Sequence, residues 1–406
     1  MYRVSPALNR LAIALLTGAV FATLWVNAAP ASYYDFAEFR FLDLPLPRWL
    51  ATHDMLVTPI SIVGEGAMAL FIALIAKELW EAMVMERGPL SGNRIVGPLA
   101  LMAGSILGAV LVWLVLVFAF GLRDEFDGSL GWNAPIGSDV VLCYLFGRMV
   151  FGAAHPALKL VLLIGIAETL FGLLLAGLFS ASYSLRLAWL SVPLAAALLV
   201  WWRYGHRDGT TETLRHAQRH GAIWPYVIAG VASWFATLAA GLPGALGLLP
   251  ILPAIAHADR SFGLFAEAEG LLHDPLNRLA HLLIWPVTIA MFAFGLTFGA
   301  IDASAFGILT IITLAALWLG KPLGLFATAI VLQRLGSNGP LMDITRRDLI
   351  CVAPLIALAF TGPALGLPWT LPPGVMAEAA RAGLALSLLA GPVCLILARK
   401  SWARKR

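Results

Sequence analysis

Charge is scarce in this chain: only 12% of its 406 residues are Asp, Glu, Lys or Arg, where a soluble domain carries about 25%. With 60% of residues hydrophobic, it cannot build a water-facing surface, so a soluble globular protein is excluded. Cysteine is scarce too. Cys143, Cys351 and Cys394 lie in apolar runs, leaving neither a disulfide framework nor metal-ligand spacing. No glycine-rich phosphate loop, HExxH, CxxC pair or nucleophile elbow occurs in a credible context, which removes the common enzyme readings. The eight histidines fall in loops or at the edges of apolar runs and suggest no metal cage. No resident cofactor is expected.

What the chain has is apolar length. Runs able to span a bilayer, about 17–25 residues each, lie at 8–29, 56–82, 95–121, 157–180, 185–202, 222–240, 278–300, 305–333 and 375–398. The first is longer than the apolar part of a cleaved signal, although Asn27-Ala28-Ala29 resembles a cleavage site. It reads as a retained span because so many follow it. Three further runs are interrupted: 132–151 by Pro135 and Gly137, 241–257 by Pro243, Gly244, Pro250 and Pro253, and 349–367 by Pro354, Gly362 and Pro363. Proline removes a helix hydrogen bond and glycine loosens the backbone. The expectation is an all-α polytopic membrane protein, one transmembrane domain over 1–406 with about twelve spans, of which spans 4 and 11 are broken and cross.

The few charges test that count. With the N-terminus inside, most of the 27 lysines and arginines fall on the cytoplasmic side, including Arg87, Arg94, Arg203, Arg207, Arg346, Arg347 and the run from Arg399 to Arg406. The opposite side holds Arg40, Arg48, Arg123 and Arg186. This is the bias of the positive-inside rule, with both termini cytoplasmic. The net charge of +4 therefore calls for no nucleic-acid partner. The basic stretch 203–221 reads as a cytoplasmic linker, with pH sensing or anionic-lipid binding as alternatives. Residues 31–50, with aromatics interleaved among charges, suit an interfacial hairpin at an outer homodimer contact.

Spans 3–5 (95–180) and spans 10–12 (305–398) each carry their break in the middle member. Units of three spans that start on opposite sides are inverted repeats, and paired breaks point to a midplane binding site. Asp139, Glu168 and Lys321 lie inside apolar runs. Charges at that depth are costly and usually mark an ion or proton pathway, the alternative being a structural salt bridge.

These residues resemble the NhaA family of sodium/proton antiporters. The stretch GWNAPIGSDVVL is similar to the family's Gly-Trp-Ala-Ile-Pro-Ala-Ala-Thr-Asp, placing Ser138 and Asp139 on its threonine and aspartate. LGKPLGL matches the lysine motif at Lys321, and LAFTGPAL resembles the broken eleventh helix through Phe360 and Thr361. FIALIAKEL brings in Glu78, and NRLAHLLIWPV brings in His281, both in the family's pH-responsive region. One departure stands out. The family has two adjacent aspartates where this chain has Glu168 and Thr169.

The resemblance implies exchange of Na+ or Li+ for H+ across the bacterial inner membrane, serving pH and sodium homeostasis. The ion and proton residues would be Asp139, Thr169, Glu168 and Lys321, with Asp139 as the sodium ligand, Ser138 and Thr361 supporting the breaks, and Glu78 and His281 sensing pH. Glu168 is expected to pair with Lys321. The alternatives are a homologue with a different ion or coupling, and a transport-silent structural or regulatory subunit.

Overall fold

In hydrocarbon every backbone polar group must be satisfied within the protein, so apolar runs of this length fold as helices. The computed structural model describes residues 4–44, 55–84, 92–126, 130–180, 185–205, 222–257, 264–267, 274–334 and 344–403. Eight helices there are long and apolar enough to cross a membrane. They are α1 (Ala7–Ala28), α3 (Pro59–Val84), α4 (Val96–Ala119), α6 (Pro156–Leu178), α7 (Leu187–Tyr204), α9 (Pro275–Phe298), α10 (Ile308–Arg334) and α13 (Val375–Ala398). A ninth span is the pair α11 (Arg346–Ile356) and α12 (Thr361–Thr370), bent by 47° at the break between them. Shorter apolar helices are α5 (Val140–Phe151) and α8 (Trp224–Ala239). The twelve expected runs thus correspond, among the described residues, to eight full spans, one bent pair and three short segments.

The third short segment differs from expectation. Residues 241–257 form two 3-10 turns, Gly244–Leu246 and Leu249–Ala254. Pro243, Pro250 and Pro253 each lack an amide donor, so an α-helical ladder cannot run through them. Outside the bundle, α2 (Pro30–Ala37) precedes an antiparallel pair, β1 (Leu42–Leu44) with β2 (Met55–Val57). Of the hairpin expected around 31–50, β1 falls inside that range and its partner β2 beyond it, while 45–54 lie outside the described residues. So do residues 206–221 of the expected linker.

Helix pairs close through small residues. Gly104 and Gly108 of α4 face Gly320 and Gly324 of α10, and a Cβ at Gly320 would lie 2.7 Å from the Ala109 Cα. Only glycine lets the two backbones come this near, as in small-xxx-small contacts generally. Gly18 of α1 and Gly295 of α9 make the same kind of approach. Without a hydrophobic drive between helices in lipid, such packing is what holds them.

Candidate functional site

The site is built on one face of α6. Gly165, Thr169 and Gly172, spaced four and three residues apart, turn the same way. The extended chain 136–139 lies against them: Gly165 adjoins Ser138, and a Cβ at Gly172 would lie 2.7 Å from the Ile136 carbonyl oxygen. Gly137 has φ +124°, a left-handed conformation that favours glycine, and an added Cβ would lie 2.9 Å from Pro363. Here the two interrupted spans meet. The Asp139 amide donates to the Leu358 carbonyl at 2.8 Å, joining one break directly to the other.

Lys321 reaches this crossing from α10, immediately after a π-helical turn, Ala316–Gly320. Its Nζ lies 2.7 Å from Glu168 Oε2, and both side chains are fully buried. The ammonium also faces the Gly137 carbonyl, Ser138 Oγ at 3.1 Å and the Ile356 carbonyl at 3.3 Å. Ile356 is the last residue of α11, so the cation sits where that half-helix presents its negative end. Ser138 Oγ, which accepts from Lys321, lies 2.6 Å from Glu168 Oε2 and 3.0 Å from the Ile356 carbonyl. The expected Glu168–Lys321 pair is present, and Ser138 bridges it.

Asp139 occupies the complementary position. As N-cap of α5 it accepts the Leu142 amide on Oδ1 at 2.8 Å. Its Oδ2 accepts the Thr361 amide at 3.1 Å and the Thr361 hydroxyl. Thr361 opens α12, so one carboxylate faces the positive ends of two half-helices. The cap it provides also orients the carboxylate. Thr169 Oγ1 lies 2.8 Å from both the Ser138 and Gly165 carbonyls. Its one hydrogen serves one of them, and its lone pairs stay available as neutral ligands.

On the segments that build the site, two buried polar atoms have no hydrogen-bond partner among the described residues: Glu168 Oε1 on α6 and Asn133 Nδ2 in the turn before the break. Asn133, in the turn before the break, was not singled out from sequence. Its only signal was a polar residue inside an interrupted apolar run. The Gly137 and Ile356 carbonyls were equally hidden, because backbone ligands appear only once a break is placed. No group of three or more His, Cys, Asp or Glu able to hold a metal occurs among the described residues. The oxygens at hand are the Asp139 carboxylate, hydroxyls and freed carbonyls, a set that fits a transported monovalent cation at a broken helix.

The two residues assigned to pH response do not join this cluster. Glu78 is buried. It lies 3.1 Å from Lys77, receives the Phe265 amide, and adjoins Glu81 through Lys77 at 2.9 Å. An i,i+4 pair reads the same in sequence whether solvated or enclosed, which is why burial was not foreseen. His281 is exposed on α9. Arg148 bends back on α5, donating to the Tyr144 hydroxyl at 2.9 Å.

Interrupted spans crossing in a membrane bundle, with two carboxylates and a lysine buried at the crossing, are the architecture of a secondary transporter. The comparisons agree. The chain belongs to the Na+/H+ antiporter 1 family, which matches residues 7–391. It is 35% identical to the Na(+)/H(+) antiporter NhaA of Jannaschia sp. (strain CCS1), over 100% of both chains. It is 30% identical to the Na(+)/H(+) antiporter NhaA of Geotalea uraniireducens (strain Rf4), over 98% of this chain and 97% of that one. A solved structure, the sodium proton antiporter MjNhaP1 from Methanocaldococcus jannaschii, aligns with 98% of this chain and 96% of its own. Its TM-score of 0.46 and 16% identity carry no argument about the site.

Proposed function

We propose that this chain exchanges Na+ or Li+ for H+ across the bacterial inner membrane, with Asp139 binding cation and proton in turn. The observation that carries this reading is a charge count. Three ionisable side chains are buried together, and Lys321 is taken up by Glu168 at 2.7 Å. One carboxylate, Asp139, is left with the two half-helix ends and the Thr361 hydroxyl, and no ion pair of its own among the described residues. A lone charge at that depth is costly. Either a monovalent cation or a proton balances it, and the two compete for one carboxylate. That competition is antiport.

The supporting oxygens are Thr169, Thr361 and the backbone carbonyls of the breaks, with Ser138 and the Glu168–Lys321 pair fixing the crossing. Residues 95–180 and 305–398 serve as inverted repeats that move about this point, and the termini are cytoplasmic. A homodimer joined at the hairpin side, and pH response through Glu78 and His281, belong to the same reading. No cofactor is required, since the cation and the proton are substrates. Neither a silent subunit nor different ion chemistry is favoured, because the relatives are named as antiporters over nearly the full chain.

The test is cation-induced pH change in everted vesicles and proteoliposomes, across sodium, lithium and potassium. Wild type collapses the pH gradient on addition of sodium or lithium. Asp139→Asn gives no response, and Thr169→Val responds only at higher cation concentration. Robust exchange by Asp139→Asn removes the proposed site.

A further inference from the structure

Another intramembrane carboxylate lies outside this cluster. Glu65 sits in α3, in a π-helical turn, Ile62–Ala67. Such turns are rare and recur at functional sites. The two among the described residues hold Glu65 and immediately precede Lys321. The widened turn frees the Glu65 carbonyl, which accepts the Trp234 indole at 2.6 Å. The carboxylate accepts the Gly244 amide, and the Trp369 indole lies beside it. A Cβ at Gly244 would lie 2.9 Å from the carboxylate, so that position is kept open for it.

The place of Glu65 relative to Asp139 is set by α12. Thr361 at its start holds Asp139, Leu365 packs over Gly64, and Trp369 adjoins Glu65. Residues four apart share one helix face. Asp139 and Glu65 therefore meet the same side of α12, at Thr361 and Trp369, positions about 12 Å apart along the helix axis at 1.5 Å per residue. The charges on neighbouring elements are engaged elsewhere or distant. Arg381 of α13 lies over the Phe298 ring and is paired with Glu378 at 3.1 Å. On α9, Arg278 and His281 are at the opposite end from Phe298, which packs on Gly64. On α3 itself, Lys77, Glu78 and Glu81 form their own cluster three turns on. No charged residue occurs in α8, α12 or the 244–246 turn.

We propose that Glu65 is a second proton-binding site, a relay between Asp139 and the membrane face where α3 begins. It takes a proton from that face and passes it on through water to Asp139 when the cation leaves there; Asp139 gives that proton up on the opposite face when the next cation binds. Glu65 ends each cycle as it began, so the number of protons exchanged per cation is unchanged. A purely structural role, capping Gly244, would need only an acceptor oxygen, which glutamine also has.

This rests on the antiport reading, so the test has one measurement that needs no transport. Infrared difference spectra of the full-length protein in detergent are recorded through a pH titration. The expected result is a protonated-carboxyl band lost with rising pH, one component of which is absent in Glu65→Gln and displaced in Glu65→Asp. In proteoliposomes, Glu65→Gln loses about tenfold or more in rate on the alkaline limb, where protons are scarce, and keeps its acidic limb. Glu65→Asp restores the alkaline limb. A titrating band unchanged by both variants overturns the proposal, as does a wild-type pH profile in Glu65→Gln. Should Glu65→Gln fail to fold, the band displacement in Glu65→Asp decides. Wild type that moves no cation but shows the Glu65 component contradicts antiport and leaves the proton site standing.

Discussion

Lys321 and Glu168 hold each other in place, and neither could stay at this depth alone. Their separation of 2.7 Å, with Ser138 on both, satisfies most of what burial takes from water. Removing one partner of such a pair costs about 3–5 kcal/mol because the other charge is stranded. Lys321→Ala and Glu168→Gln should therefore each lower the melting temperature in detergent. The double variant Glu168→Gln/Lys321→Met should recover part of the loss, since no charge is stranded. Equal melting of wild type and both single variants would show that the pair is not buried as described. Under the proposed function, stability and transport separate here: these residues support the crossing, while Asp139 carries the exchange.

At the scale of elements, the helices that carry the site are positioned by glycine. A leucine at Gly324 would drive α10 off α4, where an added Cβ already falls 3.0 Å from the Gly108 amide nitrogen. Overpacking of this kind costs about 1–3 kcal/mol, and here it also displaces Lys321, one turn earlier on the same helix. Leu323→Ala, at an exposed neighbour, should change stability by about 0.5 kcal/mol or less. Thermal melting of the two variants side by side checks this, and equal effects would contradict the packing account. The break in span 4 was legible from Pro135 and Gly137; in span 11 it falls at 357–360, just ahead of Gly362 and Pro363, which lie in the first turn of α12 rather than at the break. The π turns were not legible, since nothing local marks them. They depend on partners far along the chain, such as Trp234 drawing on the Glu65 carbonyl. The collapse of 241–257 into 3-10 turns was only half legible: its prolines announced an irregular helix, and the structure has no α-helix there. Of the site, the charged residues and their pairing could be read from sequence. The enclosure of Glu78 could not, because burial is decided by neighbours such as Phe265 rather than by the residues beside it.

For the whole molecule, the charge count leads to coupling. Antiporters with two free carboxylates at the cation site can release two protons to one cation. Here the place of the second acid is taken by Thr169, which offers oxygen but no proton in the working pH range, and Glu168 is held by Lys321. Under the proposed function, Asp139 alone exchanges one proton for one monovalent cation, and the cycle moves no net charge. A membrane potential acts on transported charge at about 2.3 kcal/mol per elementary charge per 100 mV, so a neutral cycle has nothing for the field to act on. The decisive measurement is sodium/proton exchange in proteoliposomes with the membrane potential clamped at a series of values. The account predicts rates that do not change with potential, in a protein whose Asp139→Asn variant is inactive. Rates that rise steeply with the imposed potential would contradict it.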